Sequence, residues 1–303
     1  MTGLAVALVL VSALAHASWN LIVRRSDRPE LTNWLMLSSG ALLASPIAIF
    51  VLLADPPDLT GWLFIAGTTA LHIGYFFTLG RAYRYGDLSL VYPIARGLGL
   101  ALIPIAGVFV LAESVSVSGG FGIAVIFVGV VVVGSSTRGS SGGEVPTGGG
   151  GRGIWRQPRS LLADRGVVFA VLTGILIATY SAFDKRGVDH VEPVVYMFMM
   201  TVGGSLGILP LIARNYTRHD FAGEIRNHWK IGLAGGALQF TAYTLVLSAF
   251  RLSPVSYVGP FRELGIVFGV VMAWLILKES VTLNRAIGAA AIGSGAILVA
   301  IAP

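Results

Sequence analysis

Apolar residues run along this chain in ten long stretches that hold almost no charge. A helix needs about 20 mostly apolar residues to cross the roughly 30 Å hydrocarbon core of a bilayer, and each stretch reaches or approaches that length. Only the fourth and the ninth stretches carry charged residues deep inside. The pattern therefore predicts ten membrane-spanning helices, at residues 2–23, 31–54, 59–80, 88–111, 115–133, 166–183, 193–213, 231–250, 254–277 and 286–301.

The second half of the chain repeats the first. A shift of 166 positions places the tripeptide Glu-Ser-Val at 113–115 on the same tripeptide at 279–281, and it places Arg96 on Arg262. In that register the whole fourth stretch falls on the ninth. Matches of this kind at a single offset indicate an internal duplication. Because each half holds five helices, an odd number, equivalent helices must cross the membrane in opposite directions.

The predicted fold class is thus an all-α membrane protein with ten transmembrane helices, arranged as two five-helix inverted-topology repeats. We expect the first repeat at residues 1–135 and the second at 166–303. Residues 136–165 between them contain Gly-Ser-Ser-Gly-Gly at 139–143 and four glycines at 148–151. That composition is typical of a flexible linker, and we assign it no function of its own.

Composition supports a membrane protein and narrows its chemistry. Hydrophobic residues make up 55% of the chain and charged residues 12%, where soluble domains have about 25% charged residues. The 39 glycines suit close helix packing in lipid. The absence of cysteine excludes disulfides and Cys-ligated metal centres. Since no metal-ligand spacing, phosphate-binding glycine loop or catalytic signature appears, we predict no catalytic residue, no metal and no cofactor.

The basic residues fit the loops of a membrane protein. Of 21 Lys and Arg residues, 16 flank the loops after the odd-numbered predicted helices and only 3 lie on the opposite side. The distribution of basic residues among the loops therefore explains the net charge of +6, and we predict no binding to nucleic acid. The positive-inside rule places the odd loops in the cytoplasm and both termini outside.

Two arginines lie inside membrane helices at equivalent positions. Arg96 and Arg262 each stand at the ninth position of their apolar stretch, roughly 12 Å from its start. Both stretches contain Gly and Pro, as Tyr-Pro-Ile-Ala-Arg-Gly at 92–97 and Gly-Pro-Phe-Arg-Glu-Leu-Gly at 259–265. We predict that both helices are interrupted there, since breaks at matching positions of two halves free backbone groups to face a cavity.

A buried arginine needs a partner or water. We predict that the two guanidinium groups hold an anionic group of a ligand, because their planar shape matches carboxylate or phosphate. The alternative is that Arg262 pairs with Glu263, that Arg96 pairs with a carbonyl or another carboxylate, and that both only stabilise packing.

Polar and aromatic side chains recur at helical spacing on the first, third, sixth and eighth helices, so each set shares one face. A packing hydrogen bond is the alternative for any single residue. With Glu263 and the two arginines, these faces predict one central binding cavity. Its further predicted residues are His16, Trp19, Asn20, His72, Tyr75, Tyr92, Tyr180, Asp184, Gln239, Tyr243 and Tyr257.

Four of these groups are candidates to carry protons. His16 and His72 qualify because histidine titrates near neutral pH, and Asp184 and Glu263 because a buried carboxylate can hold a proton. The sequence does not choose among them.

Taken together, these features resemble the drug/metabolite transporter superfamily, EamA type. The resemblance rests on ten helices in two halves and on Leu-Ala-Glu-Ser-Val at 111–115 answered by Leu-Lys-Glu-Ser-Val at 277–281, each followed by a Gly-rich helix. His-Ala-Ser-Trp-Asn at 16–20 stands where such proteins carry a Trp followed by small or polar residues. The family usually keeps both termini in the cytoplasm, which is the reverse of what the charge count predicts.

The resemblance implies a secondary transporter, an exporter or exchanger, that moves a small anionic or zwitterionic metabolite by alternating access. An amino acid or a related carboxylate or phosphonate would fit. We expect a multi-pass protein of the bacterial cytoplasmic (inner) membrane, monomeric or homodimeric, whose partners are its substrate and the bilayer. The alternative is a membrane-embedded enzyme acting on a lipid or isoprenoid phosphate, where the same arginines bind the head group.

Overall fold

The computed structural model describes residues 1–86, 88–135, 164–278 and 280–303, and within these ranges the regular elements are all helices. The greater part of the predicted linker, residues 136–163, lies outside the described residues. So does Glu279 of the second repeated tripeptide. The helices are α1 Gly3–Arg24, α2 Pro29–Ala54, α3 Leu59–Tyr85, α4 Leu88–Leu111, α5 Val117–Ser135, α6 Arg165–Gly187, α7 Pro193–Ile212, α8 Arg218–Leu252, α9 Val255–Phe261, α10 Leu264–Leu277 and α11 Leu283–Ile301.

Ten spans in the described residues are long and apolar enough to cross a membrane. The short α9 and α10 together form one of them, Val255–Leu277, and every other helix forms one by itself. The prediction of an all-helical, ten-span membrane protein is therefore confirmed. The inverted topology of the repeat and the domain boundaries stay predictions.

The eighth span begins earlier than its apolar pattern predicted. Hydropathy placed its start at residue 231, but α8 begins at Arg218 and runs for 35 residues. Thr217 starts the helix through a capping box: its side chain accepts from the Asp220 N–H, and the Asp220 carboxylate accepts from the Thr217 N–H. A search for apolar runs finds only the part of a helix that lies in lipid, and it misses polar turns that a cap stabilises.

One of the two predicted helix interruptions is absent. The helix α4 is continuous through Pro93 and Pro104, so the prediction of a break at 92–97 was wrong. Pro93 lies within the first two turns of α4, where losing one backbone donor leaves most of the hydrogen-bond ladder intact. The break in the second half is real, because the chain leaves the helix at Arg262 and Glu263 between α9 and α10.

Backbone hydrogen bonds define this break. Pro260 cannot donate, and the next bonds span three residues instead of four: the Glu263 N–H donates to the Pro260 carbonyl at 3.0 Å, and the Ile266 N–H to the Glu263 carbonyl at 2.8 Å. The tightened turn separates α9 from α10 and brings Arg262 and Glu263 to the junction.

Glu113, from the first repeated tripeptide, holds the start of α9. Its Oε1 accepts from the Val255 N–H at 2.8 Å, and its Oε2 accepts from the Ser256 N–H at 2.9 Å and from the Ser256 hydroxyl at 2.6 Å. Gly107 makes room for this contact, since a Cβ there would lie 2.0 Å from Ser256 Oγ. The end of α4 is therefore fixed to the beginning of the broken helix.

Helices of the two halves pack mainly on each other. Helix α1 packs on α8 and α10, α3 on α6 and α7, α2 on α7 and α8, α4 on α6, and α5 on α11. Backbones touch where glycines face each other: a Cβ on Gly40 of α2 would lie 2.7 Å from the Gly236 carbonyl oxygen of α8. Without a hydrophobic driving force in lipid, such close contacts are what holds helices together. The core of the protein thus lies between the halves.

Candidate functional site

The membrane interior contains an ion pair that joins the two halves. Arg96 Nε of α4 lies 3.1 Å from Glu263 Oε2 at the break between α9 and α10. The Arg96 side chain is 18% exposed and the Glu263 side chain 5%. Glu263 therefore neutralises Arg96, on the other half of the protein, rather than its own neighbour Arg262.

Arg262 is buried without such a partner. The residue is only 8% exposed, and its Nε is buried with no hydrogen-bond partner. In the part of the chain that the structure describes, no carboxylate forms an ion pair with its guanidinium. Its guanidinium carbon lies 5.9 Å from the centroid of the Tyr243 ring. A cation left this way inside a membrane protein is suited to receive an anion.

Asp184, near the end of α6, is a fully buried carboxylate held by hydroxyl groups. Oδ1 accepts from Thr68 at 2.6 Å and from Tyr196 at 2.9 Å, and Oδ2 accepts from Tyr243 at 2.5 Å. These donors come from α3, α7 and α8. Asp184 therefore ties four helices together, and Tyr243 connects it to Arg262 through the cation contact on its ring.

His72, on α3, lies beside Asp184, and its partners fix its tautomer. Its Nδ1 lies 2.9 Å from the Thr68 carbonyl oxygen and 3.2 Å from Thr68 Oγ1. Because Thr68 donates its hydroxyl hydrogen to Asp184 and a carbonyl only accepts, Nδ1 carries the hydrogen. The neutral ring then has Nε2 free as an acceptor. The ring centroid lies 4.4 Å from that of Tyr180 and 5.8 Å from that of Tyr243.

These contacts bring together seven of the predicted site residues. We call them the central cluster: His72, Arg96, Tyr180, Asp184, Tyr243, Arg262 and Glu263. They come from both halves of the chain and lie on the helices that the sequence assigned to one cavity.

Tyr75, His16 and Trp19 border this cluster. The Tyr75 ring lies 5.8 Å from the Tyr180 ring. His16 packs edge-on against Trp19 at 5.1 Å, and a Cβ added to Gly265 of α10 would lie 3.6 Å from His16 Cδ2. His16 therefore faces the beginning of α10, close to the charges of Arg96 and Arg262.

The structure does not bring the other predicted residues into the cluster. Asn20 is exposed and donates to the His16 carbonyl of its own helix at 2.7 Å, and Gln239 donates to Asn33 of α2 at 3.2 Å. Tyr257 is buried near the end of α4, where its hydroxyl accepts from the Ser116 N–H at 2.8 Å. Tyr92, one turn before Arg96, borders the cluster instead, since it is 38% exposed but lies near the charges of Arg96 and Glu263.

Sequence reasoning missed two residues that hold the cluster together, Thr68 and Tyr196. Thr68 stands four positions before His72 and so shares its helix face, a signal that could have been found. Tyr196 occupies an otherwise apolar stretch of α7, and no spacing in the sequence connects it to Asp184.

The two ends of the central cluster differ in how far their residues are buried. Every residue from Val255 to Glu263 is buried, and at that end Arg251 donates to the Val188 and Val191 carbonyls and to Glu192. Lys185 of α6 donates to the Phe250 carbonyl of α8. Arg96 and Tyr92 at the start of α4 keep exposed surface. The cluster is therefore buried more completely at the Arg251 end than at the start of α4.

Two apolar clefts lie away from the cluster. One, of about 400 Å³, is lined by α1, the α9–α10 region and α11, and the other, of about 460 Å³, by α3, α4 and α6. Neither lining includes Arg96, Arg262 or Glu263. Clefts of this composition on a membrane protein suit lipid acyl chains, and they carry no chemistry of their own.

Comparison with known proteins agrees with this architecture. Residues 164–301, just under half of the chain, match the model of the EamA-like transporter family. A solved structure described only as "Crystal structure of protein" has a TM-score of 0.73 and 18% sequence identity, covering 98% of this chain and 96% of that one. At that identity the likeness shows the fold alone. No match to the sequence occurs among curated proteins. The match of the family model to residues 164–301 confirms the resemblance drawn from the sequence for that part of the chain. The ten spans show a multi-pass membrane protein.

Proposed function

We propose that the protein is a secondary transporter whose substrate is a small anionic or zwitterionic metabolite, and that Arg262 binds its anionic group. The observation that carries the proposal is the buried guanidinium of Arg262, which has an Nε without a partner and no ion pair within the described residues. A protein that used Arg262 only for packing would gain from a carboxylate beside it, because an unpaired buried charge is costly.

The surroundings of Arg262 suit a small substrate with a polar head. Tyr243 lies against the guanidinium and Tyr180 stacks on His72, so aromatic faces and hydroxyl groups flank the anion site. Arg96, already paired with Glu263, is a second cation that the substrate could share. For a zwitterion, Glu263 is the carboxylate nearest to the anion site and would receive the amine.

Alternating access is the mechanism that this arrangement favours. The break between α9 and α10 places Arg262 where two helices can change their relative angle, and broken helices of this kind carry the binding sites of inverted-repeat transporters. Tight closure at the Arg251 end and exposed surface at the Tyr92 end correspond to one of the two states such a cycle needs. With the orientation that the loop charges predict, the exposed end would face the cytoplasm.

The test is a thermal-unfolding screen of the purified protein against benzoate, methanesulfonate, neutral amino acids and organic amines. A ligand at 100 times its dissociation constant stabilises the folded state by about 2.7 kcal/mol, which is measurable. We expect stabilisation by anions or zwitterions that is lost in Arg262→Gln and kept in Arg226→Gln, a matched change at an exposed arginine of α8.

Flux into proteoliposomes then distinguishes transport from catalysis. We expect ligands found in the screen to exchange across the membrane chemically unchanged. Stabilisation only by amines, or an unaltered response of Arg262→Gln, would contradict the assignment of Arg262. A chemically altered product without net movement would favour the enzyme alternative instead.

A further inference from the structure

The charges of the central cluster balance before any ligand enters. Two arginines, Arg96 and Arg262, stand against two carboxylates, Glu263 and Asp184. Arg96 and Glu263 form a direct ion pair, and Asp184 faces Arg262 through Tyr243. A substrate with one negative charge would leave the cluster with one negative charge in excess. Inside a membrane protein that excess is costly, and a proton bound by one of the carboxylates removes it.

The two carboxylates differ in their hydrogen-bond partners. Asp184 accepts three hydroxyl hydrogen bonds, so at least one of these donors would have to turn away to make room for a proton on the carboxylate. Within the described residues, the hydrogen bond to the Glu263 side chain comes from Arg96 Nε at 3.1 Å. An anion that reaches both arginines competes with Glu263 for Arg96 and leaves a carboxylate that is only 5% exposed without its counter-ion.

We propose that Glu263 takes up one proton from water when the anion binds, so that the protein carries an anion and a proton together in the same direction. The hydrogen bond from Arg96 Nε to Glu263 breaks, the arginine N–H turns to an oxygen of the anion, and the proton from water bonds to the Glu263 carboxylate. This inference rests on the proposed function. A cationic substrate would give the opposite coupling, because it would compete with the proton for Glu263.

Other titratable and charged groups surround Glu263, and the experiment must distinguish them. His16 is the principal competitor, since a histidine near two arginines could also bind a proton as the anion neutralises them. Asp184 and His72 are the other competitors. The groups that face Glu263 and its two arginines are Arg96 and Tyr92 from α4, His16 from α1, His72, Tyr75 and Tyr83 from α3, Tyr180 and Asp184 from α6, Tyr243 from α8, and Arg262 beside it.

Proton binding at Glu263 should strengthen anion binding. Protonated Glu263 leaves Arg96 free for the anion, so the form with a bound proton has the higher anion affinity. The affinity should therefore fall as pH rises, by up to about tenfold per pH unit where one proton is taken up per anion. In Glu263→Gln, which cannot ionise, the affinity should be high and independent of pH.

The experiment uses the full-length protein in detergent, with benzoate and methanesulfonate as probes, since both stay ionised above about pH 6 where histidine titrates. Each probe is mixed with weakly buffered protein, and a pH-indicator dye reports proton uptake while calorimetry reports binding. We expect about one proton per bound anion near neutral pH in the unmodified protein. Glu30→Gln, a matched change at an exposed glutamate of α2, should leave uptake and affinity unchanged.

Each outcome decides between the possibilities. Arg262-dependent binding without proton uptake, or full uptake in Glu263→Gln, would overturn the inference and leave the proposed function in place. Uptake lost in Asp184→Asn, His16→Gln or His72→Gln, but kept in Glu263→Gln, would assign the proton to that residue instead. If neither probe binds and the wider screen finds no anion, both proposals fail.

Discussion

Arg96 and Arg262 occupy the same position in the two halves of the sequence, but their surroundings differ. Arg96 lies in a continuous helix, keeps 18% of its side chain exposed and has a carboxylate partner. Arg262 lies at a helix break, is 8% exposed and has an Nε without a partner. Equivalent positions in the sequence therefore have different surroundings in the fold. Arg96 has its counter-ion in the other half of the protein, whereas Arg262 has no ion pair within the described residues, and for that reason we propose Arg262 for the ligand.

The largest expected effect on stability comes from Arg96. The change Arg96→Gln leaves Glu263 buried without its cation, and we expect a loss of about 3 kcal/mol in the free energy of unfolding, the lower end for a buried pair because Arg96 is partly exposed. Thermal unfolding in detergent measures it. The double variant Arg96→Gln/Glu263→Gln should recover most of the loss. A cost no larger than that of Arg226→Gln would show that the ion pair does not stabilise the fold.

Arg262 should matter less for stability. Arg262→Gln breaks no direct ion pair but leaves the cluster with one negative charge in excess, so we expect a loss of about 1 kcal/mol in the unfolding free energy, smaller than that of Arg96→Gln. Anion binding should weaken about 100-fold, as for the loss of charge-assisted hydrogen bonds worth about 3 kcal/mol. Unfolding and calorimetry on the same sample test both parts. A strongly destabilised variant would make Arg262 a packing residue and remove the contrast with Arg96.

Asp184 sharpens the comparison, because hydroxyl groups rather than a cation hold it. In Asp184→Asn the amide has one acceptor oxygen instead of two, so at least one buried hydroxyl loses its acceptor. We expect a loss of about 1–3 kcal/mol in the unfolding free energy. Tyr196→Phe, which removes one donor and leaves the carboxylate with two, should cost less than Asp184→Asn. The reverse order would mean that the Tyr196 hydroxyl contributes more to the contact between α6 and α7 than the Asp184 carboxylate does.

The smallest effect is expected at Tyr257, which was assigned to the binding cavity from the sequence but lies against the α4–α5 connection. Tyr257→Phe removes the acceptor of the Ser116 N–H, so we expect a loss of about 0.5–1.5 kcal/mol in the unfolding free energy. Anion affinity should not change. Weaker binding with normal stability would return Tyr257 to the site.

The ten spans could be predicted from the sequence because crossing a bilayer imposes length and apolarity on each helix separately. The position of the break at Arg262 could be predicted from the sequence. The same reasoning also predicted a break in α4, which the structure does not contain. A proline removes one backbone donor but does not always break a helix, and α4 stays continuous through Pro93 near its start and through Pro104 in its interior.

The sequence predicted candidate residues for the site from their type, but it did not predict which of them contact each other. Arg96, Arg262 and Asp184 are conspicuous because charge is rare inside membrane helices. That Glu263 belongs to Arg96 depends on how α4 approaches the α9–α10 break, which no spacing along one helix reveals. Gln239 and Tyr257 were predicted from their helical face, but in the fold their side chains contact Asn33 and Ser116 instead of the central cluster. Which residues a helical face meets depends on packing between the halves.

The contact of Glu113 with α9 has a consequence for how this protein can vary through evolution. Two of the three hydrogen bonds that Glu113 accepts come from backbone amides, at Val255 and Ser256, and a backbone amide is present whatever side chain stands there. We expect related sequences to exchange residue 255 freely among those that fit its buried position. Gly107 has no such freedom, because any added side chain would occupy the space of Ser256 Oγ. Glu113 and Gly107 should therefore change together or not at all.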